Sequence, residues 1–233
     1  MPASVYLIPT VLSEGQTAPL PAYLLSAVQQ CQVFFVENER TARRFLKMLW
    51  KEMVIDDYEW FNMKEVNEVT AADFRKKLKE GKTIGIISEA GCPGIADPGQ
   101  QLVALAQQMK IKVHPLVGPN SILLALMASG MNGQHFRFLG YLPIDAGERT
   151  TAIRKLEAES RQTGCTEIFI ETPYRNNQML ETLVKTCHPS TRICVAVDLT
   201  AATELVETRI AKDWKLDMPE LHKRPAIFLI NAG

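Results

Sequence analysis

The chain has 233 residues, 46% hydrophobic and 22% charged, enough apolar content to bury a sizeable core in one large domain or two small ones. Twenty-six basic residues balance twenty-six acidic ones, so no global field draws it to nucleic acid or an anionic membrane, and any such binding must come from a local patch. Five cysteines without a Cys-x-x-Cys pair and four histidines without metal-ligand spacing argue against a zinc site, and no metal is expected.

The opening MPASVYLIPTVLSEG carries no basic segment ahead of an apolar core. No apolar run approaches the roughly 20 residues of a membrane span. The composition therefore predicts a protein of a reducing cytoplasm with no membrane partner.

In chain order, apolar runs of strand length alternate with helical patterns, the rhythm of a parallel α/β sheet. Strands are predicted near 5–8, 33–36, 83–88 and 112–117, with one more at 58–61. Helices are predicted near 22–30, 41–51, 71–80 and 98–109. After Gly118 a helix runs to Ser129, then a strand near 136–141, a helix near 149–161 and a strand near 167–171. A helix over 176–187 and strands near 192–197 and 226–230 complete the pattern. The Val-Gly-Pro-Asn turn places a domain boundary near Gly118, giving an N-terminal parallel α/β domain (1–118) and a C-terminal α/β domain (119–233).

The stretch SEAGCPGIADPGQ, Ser88 to Gln100, follows the apolar strand TIGIIS and precedes a helical pattern. A glycine-rich loop at a strand's C-terminal end is where open α/β sheets bind ligands. Gly91, Gly94 and Gly99 permit close backbone approach, while Asp97 and Pro98 read as N-cap and first helical residue. A tight structural turn would use the same residues. Phosphate motifs do not fit: the G-x-G-x-x-G order is missing, and Lys76 stands where a P-loop ending in Gly81-Lys82-Thr83 needs its first glycine. Ser121 lacks the flanking glycines of a hydrolase elbow.

SEAGCPGIADPG, GPNSILLALMASGM (Gly118 to Met131), FLGYLP (Phe138 to Pro143), ETPYR (Glu171 to Arg175) and VAVDLT (Val195 to Thr200) occur collinearly over nearly the whole chain. Together they resemble the ribosomal-RNA 2′-O-ribose methyltransferases of the tetrapyrrole methylase superfamily. That resemblance implies two α/β domains, usually dimeric, with S-adenosylmethionine between them. It places Pro9, Ala90, Gly91, Cys92, Pro93, Ile95 and Ala96 at the methionine end, with Asn120 and Ser121 opening the helix behind. Thr172, Ala196, Leu199, Pro225 and Ala226 match positions that hold adenine and ribose, mostly through backbone. Ala196 and Leu199 could equally be core.

A ribose hydroxyl must lose a proton during methyl transfer, which a carboxylate or a lysine with lowered pKa near the methyl could take. Glu37 and Glu39 follow the second strand, and Glu68, with Glu65 and Asn67, matches a recurrent pattern of the resembling family; each could equally be solvated surface. Arg40, Arg43, Arg44, Lys47 and Lys51 share helical spacing beside Glu37 and Glu39, while Phe45, Met48 and Leu49 favour another side. Arg40, Arg43, Arg44 and Lys47 could hold phosphates of ribosomal RNA or a small ribosomal subunit, or form a solvated face.

The pattern departs from the family in its loops. Gly-Asn-Leu is missing after Pro9-Thr10, Asn38 replaces an acidic residue, Val197 an arginine and Asp198 a glutamate, Pro225-Ala226 stand for Gly-Glu, and Cys92 for threonine. Three readings therefore stay open: a ribosomal-RNA ribose methyltransferase, a methylase of a tetrapyrrole, corrin or other small-molecule precursor, and a catalytically silent cofactor-binding module.

Overall fold

The structure, a computed structural model, describes residues 2–233. The chain divides between Asn120 and Ser121 into two compact α/β units, at the end of the Val-Gly-Pro-Asn turn and two residues beyond the boundary expected at Gly118.

The first unit contains β1 (Ser4–Leu7), α1 (Leu24–Val28), β2 (Val33–Val36), α2 (Glu39–Leu49), a 3-10 turn (Ile55–Asp57), β3 (Glu59–Asn62), α3 (Glu68–Lys79), β4 (Thr83–Ile87), α4 (Gly99–Gln108) and β5 (Lys112–Pro115). Its sheet runs β3-β2-β4-β1-β5, every pairing parallel. β2 reads VFFV and is buried throughout, as a strand covered on both faces must be. Phe34 and Val36 join Leu24, Val28, Phe45 and Leu46 in one core, while Val33 and Phe35 join Phe74, Leu78, Leu102 and Ala106 in another. The two cores follow from the alternation of side chains along a strand. Gly85 is required under the first core: a Cβ there would lie 2.7 Å from both Ile8 Cδ1 and Phe34 Cδ1.

The second unit contains α5 (Ser121–Ser129), β6 (Phe136–Tyr141), α6 (Ala146–Thr163), β7 (Thr166–Ile170), α7 (Asn176–Thr186), β8 (Arg192–Val197), β9 (Leu205–Ile210), α8 (Ala211–Trp214) and β10 (Ala226–Asn231). Its sheet, β6-β7-β10-β8-β9, is mixed: β6 and β7 are parallel, and β10 runs antiparallel to both β7 and β8. Residues of α6, α7 and α8, including Ile153, Leu183 and Trp214, share one core with Phe169, Val195 and Phe228.

Capping, more than apolar periodicity, sets the helix ends. α2 starts at Glu39, two residues before the expected Thr41, because Asn38 accepts the N–H groups of Arg40 and Thr41. α3 starts at Glu68 because Asn67 accepts from Thr70 N. α6 starts at Ala146 behind the Asp145 cap and ends at Gly164 in left-handed backbone. β9 and α8 were not expected from sequence. β9 is a half-buried edge strand whose Glu207 and Arg209 interrupt its apolar alternation, and its pairing partner β8 fixes it.

Among the described residues no helix is long and apolar enough to cross a membrane, and no group of three His, Cys, Asp or Glu could hold a metal.

Candidate functional site

With all five strands of the first sheet parallel, their C-terminal ends share one edge. Pro9, Glu37, Glu39, Glu68, the loop from Ser88 to Pro98 and the segment Gly118–Asn120 all follow strand ends, so the topology gathers them at that edge.

The loop after β4 holds Gly91, Gly94 and Ala96 in left-handed backbone (φ +72°, +84° and +60°). Asp97 fixes this path, accepting the N–H groups of Gly94 and Gly99 at 2.7 Å each. Pro98 takes the N-cap position and Gly99 the first helical one, a shift of one residue from the sequence expectation. Asp97 nevertheless makes the capping bond, its Oδ1 accepting the N–H of Gly99, and Pro98 already has helical backbone (φ −67°, ψ −16°). Burial pushes the Asp97 carboxyl above its ordinary value; the two N–H groups pull against this, and the charge of Glu37 adds to the rise.

Neighbouring segments pin the loop. Thr10 N donates to Gly91 O (2.9 Å), and the Cys92 thiol lies 3.5 Å and 3.4 Å from the carbonyls of Gly118 and Pro119. Burial raises the Cys92 thiol, which leaves it a tether rather than a nucleophile. A Cβ on Gly118 would fall 2.1 Å from Pro9 Cβ, so the buried Pro9 packs where only glycine fits.

A Cβ on Gly94 would meet nothing within 4 Å, whereas one on Gly91 would press Leu12 Cδ2 and Pro119 O at 3.2 Å. Cys92, Pro93, Gly94 and Ile95 line a recess of about 380 Å³ with Leu7, Gln100 and Leu116. Open backbone above a recess in the small-ligand size range fits a cofactor held by main-chain groups.

Of the three candidate acids, Glu37 lies on the loop: its Oε2 accepts Glu89 N at 3.0 Å. Glu39 opens α2 and pairs with Arg43; Glu68 is exposed and opens α3. Both occupy helix first turns, where a carboxylate is stabilised by the helix dipole without any catalytic duty.

The basic face of α2 is largely committed within the molecule. Arg43 pairs with Glu39 and sits 5.1 Å over the Trp60 ring; Arg44 pairs with Glu14 at 2.6 Å; Lys47 donates to the carbonyls of Lys51 and Met53. The side chain of Arg40 is exposed, with no charged partner among the described residues.

In the second unit, β10 runs antiparallel to β7 and β8, which places the ends of those strands beside its start. Thr172, Ala196, Leu199, Pro225 and Ala226 thus gather at one edge. Ala196, Leu199 and Ala226 are buried, and Ala196 has sheet partners on both sides, Ile227 and Val206, as the core reading of these positions expects. Asp198 N donates to Pro225 O (3.0 Å), and Thr172 N to Glu171 Oε1 (2.6 Å). Asp198 gains its guanidinium from Arg224 (2.8 Å), with Val197 buried in β8 beside it. Thr200, at φ +73°, buries a hydroxyl without a partner. Asn120 and Ser121 close the first unit and open α5 of the second.

Nothing in the sequence marked a second recess of the first unit, about 370 Å³, lined by Thr10–Leu12, by α2 residues including Ala42, Phe45 and Met48, and by Ser88–Ala90. The spacing of Phe45 and Met48 on α2 was its one trace, and it reads equally as core.

A family model described as Tetrapyrrole (Corrin/Porphyrin) Methylases matches residues 15–212. The chain is 30% identical over 203 residues to "Ribosomal RNA small subunit methyltransferase I" of Escherichia coli, covering 87% of this chain and 67% of that one. The relative of the same name from Mesorhizobium japonicum is 29% identical over 205 residues, covering 88% and 66%. The chain thus spans about two thirds of the length of these relatives. Among solved structures, the methyltransferase CobJ superposes with a TM-score of 0.63 at 16% identity, covering 99% of this chain and 93% of that one. A conserved hypothetical protein of Aeropyrum pernix gives 0.66 at 12%, covering 100% and 85%. These two share the fold.

Proposed function

We propose that the chain, which belongs to the tetrapyrrole (corrin/porphyrin) methylase family, transfers a methyl group from S-adenosylmethionine to a ribose 2′-hydroxyl of small-subunit ribosomal RNA. The observation that carries this reading is the edge of the first sheet. There a left-handed, glycine-opened loop adjoins the carboxylate of Glu37. The relatives named for small-subunit ribosomal RNA support the choice of acceptor.

In this reading the loop from Ala90 to Ala96 and the wall at Pro9 hold the cofactor's methionine end, with Asn120 and Ser121 behind. Thr172, Ala196, Leu199, Pro225 and Ala226 supply backbone contacts to its nucleoside. When bound, S-adenosylmethionine supplies a methyl group activated on a sulfonium. Positioning is the loop's contribution: holding a reactant in near-attack geometry is worth on the order of 7 to 11 kcal/mol at best. Glu37 keeps one oxygen on Glu89 N and offers the other to the proton of the acceptor hydroxyl. Arg40 is the phosphate contact among the cations of α2. A cytoplasmic homodimer is part of the proposal.

The test is incorporation of labelled methyl from S-adenosylmethionine into small ribosomal subunits taken from cells that lack this enzyme. Label recovered in the RNA as a 2′-O-methyl ribose is the expected result; calorimetry showing no cofactor binding, with or without subunits, would overturn the reading.

A further inference from the structure

We infer that the recess between Thr10–Gly15, α2 and Ser88–Ala90 receives an unpaired nucleobase of the acceptor strand. This rests on the ribosomal-RNA reading and adds to it a site that the cofactor loop does not explain.

Position comes first. The β4 loop contributes Ser88, Glu89 and Ala90 to this recess and Cys92 to Ile95 to the other. One loop thus serves two separate cavities, and a transferase needs a place for an acceptor as well as for a donor.

Shape and lining come second. Phe45 is 6% exposed and Met48 38%, and with Leu12 and Ala42 they give the recess apolar walls. Unstacked bases of single-stranded RNA are held in this way, by a ring face against aromatic or apolar side chains. A volume of about 370 Å³ lies in the range of small-ligand sites and has room for one base.

Polarity comes third. Thr10 is 3% exposed, lines the recess, and its hydroxyl has no partner. A buried hydroxyl left unpaired is destabilising, and a base edge offering a donor or acceptor would relieve it. Charge separates the candidate occupants. Glu14 and Glu89 face the recess, and Arg44, the single cation among its lining residues, is already paired with Glu14. A polycarboxylate precursor would meet like charge there, whereas a neutral heterocycle would not. Arg40, on the same helix and outside the lining, leaves phosphates outside while the base enters.

The experiment uses the full chain and short single-stranded oligoribonucleotides as probes, in a base-bearing form and an abasic form with the same phosphates, followed by fluorescence anisotropy. The wild-type chain should prefer the base-bearing form about tenfold, the scale of one stacked base. Thr10→Val and Met48→Ala, neither of which changes the charge, should abolish that preference while keeping the abasic affinity and the S-adenosylmethionine affinity read by calorimetry. Thr10→Val should also melt no lower than wild type, since it removes only an unpaired hydroxyl, so that misfolding cannot imitate the result. Equal binding of both probes by the wild-type chain would overturn the inference, as would a preference that survives both substitutions or competition for the recess by a tetrapyrrole precursor. Loss of cofactor binding in the wild type would instead strike the methyltransferase reading and leave the base preference to be judged by itself.

Discussion

The backbone N–H of Thr10 donates to the carbonyl of Gly91 at 2.9 Å, joining the end of β1 to the left-handed start of the β4 loop. Through this bond the segment after β1 and the glycine loop are built as one piece.

Gly91→Val forces a β-branched residue into φ +72° and presses on Leu12 and Pro119 O, so it should lose S-adenosylmethionine binding together with about 1 to 3 kcal/mol of stability. Gly94→Ala meets no neighbour within 4 Å and should cost only the left-handed strain, about 1 kcal/mol. If a ligand lies over Gly94, that variant also weakens binding. Calorimetry and thermal melting of the two variants separate these effects; unchanged cofactor affinity in both would remove the loop from the cofactor site.

Glu37→Gln retains an oxygen to accept Glu89 N but cannot take a proton. Methyl transfer under saturating conditions should fall on the order of 10²- to 10⁴-fold, with S-adenosylmethionine affinity unchanged. A variant as active as wild type would leave Glu37 a loop anchor only.

Asp97 gives a pH dependence whose sign is fixed by its raised carboxyl. A carboxyl that holds its proton more tightly when folded makes the native state bind more protons than the unfolded one, so stability falls as pH rises between the two values. The window opens at the ordinary value of 3.8 and extends upward to the folded one. Asp97→Asn removes this titration and one acceptor for the loop N–H groups, at about 1 to 3 kcal/mol. The stability of wild type relative to the variant should therefore decline as pH rises through that window. Denaturant titrations at several pH values measure it, and a flat difference would contradict the assignment.

On α2, Arg40→Gln should reduce the slope of log affinity against log salt for RNA by about one if its exposed cation is the phosphate contact proposed above. Arg43→Gln removes the Glu39 pair and the contact over Trp60, and should cost about 0.5 to 1 kcal/mol of stability while leaving the salt slope unchanged. The opposite assignment of effects would return the substrate role to Arg43.

Much of the fold was legible because its signals are local. VFFV in β2 and TIGII in β4 are short apolar β-branched or aromatic runs bounded by turn residues, and the glycine loop between β4 and α4 announces a strand end. β9 was illegible because LVETRI is half-exposed and takes its conformation from β8, a neighbour it meets only after folding. The residues that the family resemblance assigns to the cofactor follow strand ends, so the strand pattern locates them in the fold.

By itself the sequence determined the alternation of strands and helices, the position of the glycine-rich loop, the family and the kind of chemistry to look for. Tertiary structure alone decided which charges remain available, since Arg44 meets Glu14 and Arg43 meets Trp60 only when distant segments pack. It also decided that Thr10 would bury a hydroxyl without a partner beside an apolar recess. Periodicity records the faces of single elements, whereas pairing and cavities are properties of several elements meeting, and no local pattern encodes them.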